Sequence, residues 1–152
     1  MIEIKKAAEE NISDLVDIRI RFMCEINHTA NYDLRLPETL NNYMKETMIK
    51  DEFITWIAVD RNKIVGTSAI CFYNLPPTSN NVSGKTAYIM NVYTLEEYRH
   101  RGIAYSLFGK VLEEARRKDC GIVYLNATED GRPLYEKFGF EPKGNQMMYI
   151  IK

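Results

Sequence analysis

The chain has 152 residues, which predicts a single domain spanning 1–152, and its 45% hydrophobic content is enough for a buried core. Charges nearly cancel, with 20 Lys and Arg against 21 Asp and Glu, so the sequence lacks the broad basic surface of proteins that bind nucleic acids or anionic membranes. We expect neither partner. The apolar runs are too short for a signal peptide or a membrane-spanning helix, so a cytoplasmic location is predicted.

The cysteines and histidines do not indicate a metal site. Cys24, Cys71 and Cys120 lack the paired spacing of a disulfide framework or a zinc site, and the only histidines are His28 and His100. We therefore expect three small apolar core residues and no metal.

The N-terminal third predicts a strand followed by two helices. Residues Ile2 to Ala7 alternate between apolar and polar, as in a strand. Ser13 offers a side-chain oxygen at a helix start, and apolar residues then recur at helical spacing from Leu15 to Ile26. Pro37 suits the first turn of a second, shorter helix.

The middle of the chain predicts three strands. Phe53–Val59 and Lys63–Phe72 are rich in β-branched and aromatic residues, and the turn-forming residues 60–62 between them predict an antiparallel hairpin. A polar loop rich in Pro, Ser and Asn, Asn74–Gly84, precedes a further strand at Lys85–Leu95.

The C-terminal third predicts two more helices and two more strands. An amphipathic helix follows Gly102 and ends in the basic residues 116–118, which suit the negative end of the helix dipole. A buried strand at Ile122–Leu125, a short helix at Pro133–Phe138 and a last strand at Met147–Ile151 complete the chain. This order predicts a mixed sheet with helices on its faces.

The segment before the long helix has the residues of an anion site. Arg99, His100 and Arg101 lead into Gly102 where the helix begins. The N-terminus of a helix has unpaired N–H groups and the positive end of the helix dipole, and both attract an anion. Arginine side chains bind phosphate oxygens bidentately, so this turn is suited to a pyrophosphate. The alternative is a solvated basic turn, in which Gly102 serves only the backbone. The P-loop and dinucleotide fingerprints are both absent from the sequence.

Two motifs resemble those of one enzyme family. Arg99-x-x-Gly102-x-Ala104 resembles the acetyl-CoA motif of the GCN5-related N-acetyltransferases (GNATs), and the segment Leu134–Phe140 resembles their C-terminal L-Y-x-x-x-G-F. The predicted element order also agrees with that family over nearly the whole chain. The resemblance implies an α/β fold with a central, mostly antiparallel mixed sheet of six to seven strands, splayed between strands 4 and 5, and about four helices on its faces.

The resemblance also implies how the donor, acetyl-CoA, is held. Backbone groups of Val92 and Thr94 would bind the acetyl carbonyl and the pantetheine, whose amides continue a sheet as a strand does. The amides from Arg99 through Ile103 to Ala104 would hold the pyrophosphate, with side chains of His100 and Arg101 added.

Tyr135 matches the tyrosine that serves as general acid in many members of the family. A phenol with a pKa of about 10 stays protonated at neutral pH and can donate a proton to the departing thiolate. The alternative is an ordinary core tyrosine with a satisfied hydroxyl.

The sequence leaves the general base open. Some members carry a carboxylate where this chain has Tyr88, so the amine proton would leave through water to Glu25, to Tyr88 or to another group. The alternative for Glu25 is a place on the solvent-facing side of its amphipathic helix. Thr128 stands where an Asn is common, which makes a side-chain contact to the coenzyme there doubtful.

The resemblance predicts direct acetyl transfer to a primary amine of a small molecule or a peptide, and leaves a homodimer open. Acidic residues on the acceptor side would favour a cationic amine; these are Glu25, Asp33 and Glu38. Basic residues there would instead hold an acceptor carboxylate; these are Arg19, Arg21 and Arg35. A non-catalytic acyl-CoA-binding or sensor domain of the same fold is the alternative function.

Overall fold

A computed structural model describes residues 1–151 and contains five strands and four α-helices. The strands are β1 (Glu3–Lys6), β2 (Phe53–Asp60), β3 (Lys63–Asn74), β4 (Lys85–Thr94) and β5 (Ile122–Leu125). The helices are α1 (Ile12–Ile26), α2 (Leu36–Ile49), α3 (Ile103–Arg117) and α4 (Arg132–Lys137). Short 3-10 turns precede α1, at Glu9–Asn11, and α3, at Glu96–Tyr98.

The five strands form one mixed sheet in sequence order, β1-β2-β3-β4-β5. The first four pair antiparallel, and β4 pairs parallel with β5. The predicted hairpin of β2 and β3 is confirmed, and Arg61 and Asn62 in its turn both have positive φ. Such angles match the twist of a two-residue hairpin loop. The expected six to seven strands are corrected to five within residues 1–151.

The helices cover the two faces of the sheet because the strand side chains alternate. On one face, α1 and α2 pack on β2 and β3 through a cluster that includes Leu15, Met44, Phe53 and Ile57. On the other face, α3 packs on the sheet through Phe108 and Val111, and Tyr135 of α4 joins the same cluster. The predicted periodicity of α3 is therefore confirmed.

Two further sequence predictions are wrong. The last strand, Met147–Ile151, is not formed: its five side chains are between 68% and 94% exposed. A strand forms only where a neighbouring strand can pair with its backbone, and an alternating apolar sequence does not ensure that such a neighbour is present. Ser13 does not cap its helix, because α1 already begins at Ile12. The chain enters α1 through the 3-10 turn, where Asn11 Oδ1 accepts a 2.9 Å hydrogen bond from the backbone N–H of Ala8.

The three cysteines are free and only partly buried, so the prediction of core cysteines holds in part. Cys71 packs beside the α1–α2 cluster and Cys120 beside the α3–α4 cluster. Within residues 1–151, no helix has the length and apolar character needed to cross a bilayer. The same residues contain no group of His, Cys, Asp or Glu side chains arranged to hold a metal ion.

Candidate active site

The sheet opens between β4 and β5. Only the first part of β4, Thr86–Ile89, pairs with β5. Beyond it, β4 contains a bulge in which Asn91 has a φ of 55° and Val92 has no partner in the β3 ladder. The pairing with β3 resumes at Tyr93 and Thr94. The β5 side of the last β4 residues therefore has no strand neighbour among residues 1–151, which is the kind of edge that accepts an extended ligand.

Two polar side chains next to this opening are unsatisfied. The hydroxyls of Ser68 and Thr94 are buried without a hydrogen-bond partner among the described residues. Ser68 lies opposite the β4 bulge, and Thr94 ends β4. Since buried hydroxyls are normally hydrogen-bonded, orphaned groups here mark a region that is not built for internal packing alone.

The turn that leads from β4 into α3 has its backbone arranged for an anion. His100 and Gly102 both adopt left-handed conformations, with φ of 62° and 76°. No side chain caps the N-terminus of α3, and its first turn carries no acidic residue. The free N–H groups of that turn and the positive end of the helix dipole therefore remain available to a negative ligand.

Gly102 is needed for its conformation rather than for packing. A Cβ built on it would meet no atom of residues 1–151 within 4 Å. Its positive φ is costly for any residue with a side chain.

The two arginines of the turn bond to the protein's own backbone. Arg99 Nε donates to the Thr94 carbonyl oxygen at 2.9 Å, and Arg101 Nη2 donates to the Glu97 carbonyl oxygen at 2.9 Å. The Arg101 guanidinium also lies 5.2 Å from the ring centre of Tyr98. These contacts hold the turn in shape. The Arg99 N–H already donates to the Glu96 carbonyl oxygen at 3.2 Å, whereas no side chain caps the first N–H groups of α3.

Tyr135 lies on the α3–α4 face, in the same cluster that Val92 packs against. Its ring is 7% exposed and lies 5.2 Å, centroid to centroid, from Phe108. Its outer end rests on Gly131, where an added Cβ would come within 2.8 Å of the hydroxyl oxygen. Burial raises the pKa of Tyr135, so the phenol keeps its proton at neutral and moderately alkaline pH.

Thr128, at a position where Asn is common in the family that the sequence resembles, stabilises the start of the helix that carries Tyr135. Its hydroxyl accepts a hydrogen bond of 3.1 Å from the Gly131 N–H, and its carbonyl accepts one of 3.0 Å from the Arg132 N–H. The residue therefore fixes the start of α4 from the preceding turn.

Glu25 and Tyr88, the two residues considered for proton removal, lie apart on the α1 side of the sheet. Glu25 Oε1 accepts a 2.8 Å hydrogen bond from the Tyr93 hydroxyl, and its Oε2 lies 4.0 Å from Arg99 Nη2. Tyr88 is half-buried on β4 opposite Cys71. Burial raises the pKa of Tyr88 and the neighbouring Cys71 adds to the rise, although Arg19 opposes it. Tyr88 is therefore protonated at neutral pH.

Asn91 lies beside this site and is not among the residues predicted from the sequence. Its side-chain oxygen accepts a hydrogen bond from Arg19 Nη1, and its carbonyl oxygen accepts one of 2.7 Å from the Thr67 hydroxyl. An Asn inside a strand tolerates positive φ, so its presence in the middle of β4 was the available signal for a bulge.

A cavity beside α2 and β2 does not coincide with these residues. It has a volume of about 140 Å³ and is lined by residues of the first 3-10 turn, α2 and β2. None of the predicted site residues lines this cavity.

Comparison with known proteins decides the family. A family model described as "Acetyltransferase (GNAT) family" matches residues 15–140. This chain belongs to the GNAT family. The chain is also similar in structure to a predicted acetyltransferase from Clostridium acetobutylicum solved with acetyl-CoA, with 31% identity, a TM-score of 0.91 and coverage of 99% of this chain and 96% of that one.

Two further comparisons place the GNAT chain among its relatives. A GCN5-related N-acetyltransferase from Ralstonia eutropha JMP134 shares the fold at 20% identity, with a TM-score of 0.86 and coverage of 99% of both chains. A glucosamine 6-phosphate N-acetyltransferase from Trypanosoma brucei brucei is 29% identical over 85 residues, which are 56% of this chain and 56% of the relative. The match therefore spans little more than half of that curated relative.

Proposed function

We propose that this protein is an acetyl-CoA-dependent N-acetyltransferase that acetylates a primary amine by direct attack within a ternary complex. The observation that carries the proposal is the uncapped start of α3, preceded by two left-handed residues and lying next to the open edge of β4. A free helix start suits a diphosphate, and an open strand edge suits the pantetheine amides.

The donor would follow the backbone from β4 to α3. Backbone groups of Val92 and Thr94 would bind the acetyl and pantetheine end. The amides between Arg99 and Ala104, including those of His100, Arg101, Gly102 and Ile103, would bind the pyrophosphate. The similarity to a structure solved with acetyl-CoA over 99% of the chain supports this arrangement.

The chemistry is a displacement at the thioester. The lone pair of the neutral amine attacks the carbonyl carbon, the C–S bond breaks, and Tyr135 donates its phenolic proton to the departing sulfur. Tyr135 supports this role because burial raises the pKa of its phenol and because it packs in the same cluster as Val92. No acyl-enzyme is formed, so the kinetics are expected to be sequential rather than ping-pong.

Glu25 is the proposed final acceptor of the amine proton, reached through water. Tyr88 is a poorer acceptor because the raised pKa of its phenol keeps it protonated. Glu25 has one oxygen in a hydrogen bond with Tyr93 and a second that lies 4.0 Å from Arg99. That second oxygen remains able to accept a hydrogen bond from water.

The acceptor is proposed to be a small molecule or a peptide that carries a primary amine. A relative named for acetylating glucosamine 6-phosphate supports a small amine acceptor. The test begins with titration calorimetry of acetyl-CoA. A thermal-shift and transfer panel of amines follows, including amino acids, polyamines, aminoglycosides and amino sugars, since ligand binding raises the melting temperature by mass action.

Variants locate the binding site in the same experiment. Arg99→Glu and Arg101→Glu, tested singly, are expected to raise the Kd of acetyl-CoA by roughly 10-fold or more, because they place negative charge beside the diphosphate. Lys50→Glu makes the same change of charge at an exposed residue after α2 and is the control. Failure of the wild-type protein to bind acetyl-CoA would contradict the proposal, and binding without transfer to any amine would favour the sensor alternative.

A further inference from the structure

Arg19 is a half-buried cation without an anionic partner. It lies on α1, and its Nη1 donates to Asn91 Oδ1. Within residues 1–151, no carboxylate lies within 4.0 Å of its guanidinium nitrogens, and this is the only hydrogen bond that the side chain makes. An arginine carries five N–H donors, and a partly desolvated charge is normally paired. Arg19 therefore retains donors and charge that the protein itself does not satisfy.

The groups around Arg19 are neutral. Tyr43 of α2, Cys71 of β3 and Tyr88 of β4 lie close enough to influence its charge. Burial lowers the pKa of Arg19 from its high ordinary value, and these three groups act in the opposite direction. At neutral pH the guanidinium stays charged, since arginine does not deprotonate in proteins. The guanidinium of Arg19 is thus a fixed positive charge in partly desolvated, uncharged surroundings.

Arg19 lies close to the backbone that is proposed to bind the acetyl group. Its hydrogen-bond partner, Asn91, immediately precedes Val92, whose backbone is proposed to bind the acetyl group. Arg19 and Tyr88 lie on the α1–α2 side of the sheet, whereas Val92 and Tyr135 pack on the α3–α4 side. An amine that approached the thioester from the α1–α2 side would pass the guanidinium.

Arg21 and Arg35, the other arginines that the sequence suggests for binding an acceptor carboxylate, are less suitable than Arg19. Arg35 is already paired with Asp33 through a bidentate contact, and both side chains are exposed. Arg21 is exposed on α1. An exposed charge in water gains little from one more ion pair, whereas a half-buried one gains more.

We propose that Arg19 binds an anionic group of the amine acceptor, a carboxylate or a phosphate, and thereby selects acceptors that carry both an amine and an acid. This inference rests on the proposed function, because it assumes that an amine is acetylated beside Val92. It restricts the acceptor to amines that also carry an acidic group, such as amino acids, peptides with a terminal carboxylate or phosphorylated amines.

Matched acceptor pairs test the inference. Each pair shares the amine and differs in the anion: an amino acid with its carboxamide, and glucosamine 6-phosphate with glucosamine. The carboxylate pair and the phosphate pair distinguish the two sources of charge. We expect kcat/KM for the charged member of at least one pair to exceed that for the neutral member by about 10- to 100-fold, the range of a charge-assisted hydrogen bond.

Substitutions of Arg19 test whether this residue causes the preference for the charged acceptor. Arg19→Gln is expected to lower the ratio of kcat/KM for the charged acceptor to kcat/KM for the neutral acceptor by about 10- to 100-fold. Arg19→Lys keeps the charge without the planar fork and should retain part of the preference. Arg21→Gln, an exposed arginine two residues along the same helix, is the control and should keep the wild-type preference.

The outcomes separate the two proposals. The melting temperature and the Kd of acetyl-CoA are measured for each variant to establish that it is folded and binds the donor. Equal or faster transfer to the neutral member of both pairs, or an unchanged preference in both Arg19 variants, overturns this inference and leaves the proposed function intact. Absence of acetyl-CoA binding in the wild-type protein overturns both.

Discussion

The Tyr93 hydroxyl donates a hydrogen bond of 2.8 Å to Glu25 Oε1, and this contact joins the end of α1 to β4 just beyond the bulge. Arg99 lies on the same network, with Nη2 4.0 Å from Glu25 Oε2 and Nε bonded to the Thr94 carbonyl. Glu25, the proposed proton acceptor, therefore contacts Arg99, the first residue of the turn proposed to bind the pyrophosphate. A role for Glu25 in proton removal has to be separated from a role in positioning Arg99.

Glu25→Gln separates these roles. If Glu25 accepts the amine proton, the substitution lowers kcat by roughly 10²-fold, because an amide does not accept a proton, and it leaves the Kd of acetyl-CoA unchanged. Steady-state kinetics across pH, together with calorimetry, provide the measurement. Tyr93→Phe is the matched control, since it removes the hydrogen bond and keeps the carboxylate. A raised Kd with normal kcat in Glu25→Gln would assign Glu25 to positioning alone.

Tyr135→Phe tests the proposed general acid. The substitution is expected to lower kcat by roughly 10²- to 10⁴-fold while the Kd of acetyl-CoA changes little, because only the transferable proton is lost. Tyr149→Phe removes a hydroxyl from an exposed tyrosine in the C-terminal segment and is the control. An unchanged kcat in Tyr135→Phe would exclude the residue from the mechanism.

The same proposal predicts the alkaline limb of the rate profile. Because burial raises the pKa of Tyr135, its acid form persists above the pH at which a free tyrosine ionises. Activity that depends on this proton should therefore fall only above about pH 10. The profile of kcat against pH, measured with a saturating amine, checks the prediction. A loss of kcat centred near neutrality would assign that limb to another group.

Gly131→Ala tests whether the position of Tyr135 matters. An added Cβ would come within 2.8 Å of the Tyr135 hydroxyl oxygen and ring, so the ring has to move. Misplacement of a reacting group by about 1 Å costs up to roughly 10²-fold in rate, so kcat is expected to fall by about 10-fold or more. Gly144→Ala, at a glycine whose Cβ would meet nothing within 4 Å, should have the wild-type rate. Wild-type kcat in Gly131→Ala would show that the contact does not position the phenol.

Glu114→Gln tests a buried ionic cluster away from the site. Glu114 is 5% exposed, and its carboxylate lies 2.8 Å from Lys6 Nζ and 2.8 Å from Arg117 Nη2 and accepts a 3.1 Å hydrogen bond from Trp56. Burial alone opposes its charge, but these three hydrogen bonds outweigh it and lower the pKa of Glu114. The substitution is expected to reduce the free energy of unfolding at pH 7 by about 1–3 kcal/mol.

The pH dependence of that loss has a definite sign. A lowered folded-state pKa stabilises the protein above the unfolded-state value, near 4.3, and the contribution disappears as pH falls through the folded-state value. The difference in unfolding free energy between wild type and Glu114→Gln should therefore shrink below about pH 4. Denaturant titrations at several pH values measure it. Glu113→Gln, which removes an exposed partner of Lys110, should cost little at any pH. An equally small effect at Glu114 would contradict the assigned role.

Local sequence patterns predicted most of the elements because they depend on near neighbours in the chain. The apolar spacing after Gly102 located α3, the turn residues Arg61 and Asn62 located the β2–β3 hairpin, and the motif from Arg99 to Ala104 located the helix start at the candidate site. Each of these signals lies within about four residues of the structure that it predicts, so a helix period, a turn conformation or an uncapped helix start can be inferred without the rest of the fold.

The contacts that distinguish this site depended on residues far apart in the sequence. Arg19 meets Asn91 across 72 positions, and Glu25 meets Tyr93 across 68. Met147–Ile151 has the pattern of a strand and forms none, because pairing requires a neighbouring edge at the right place. The sequence alone determined the local elements, the family resemblance and the chemical types available. Only the tertiary structure decided the five-strand sheet, the bulge at Asn91 and the unpaired charge of Arg19, since each depends on contacts between residues far apart in the sequence.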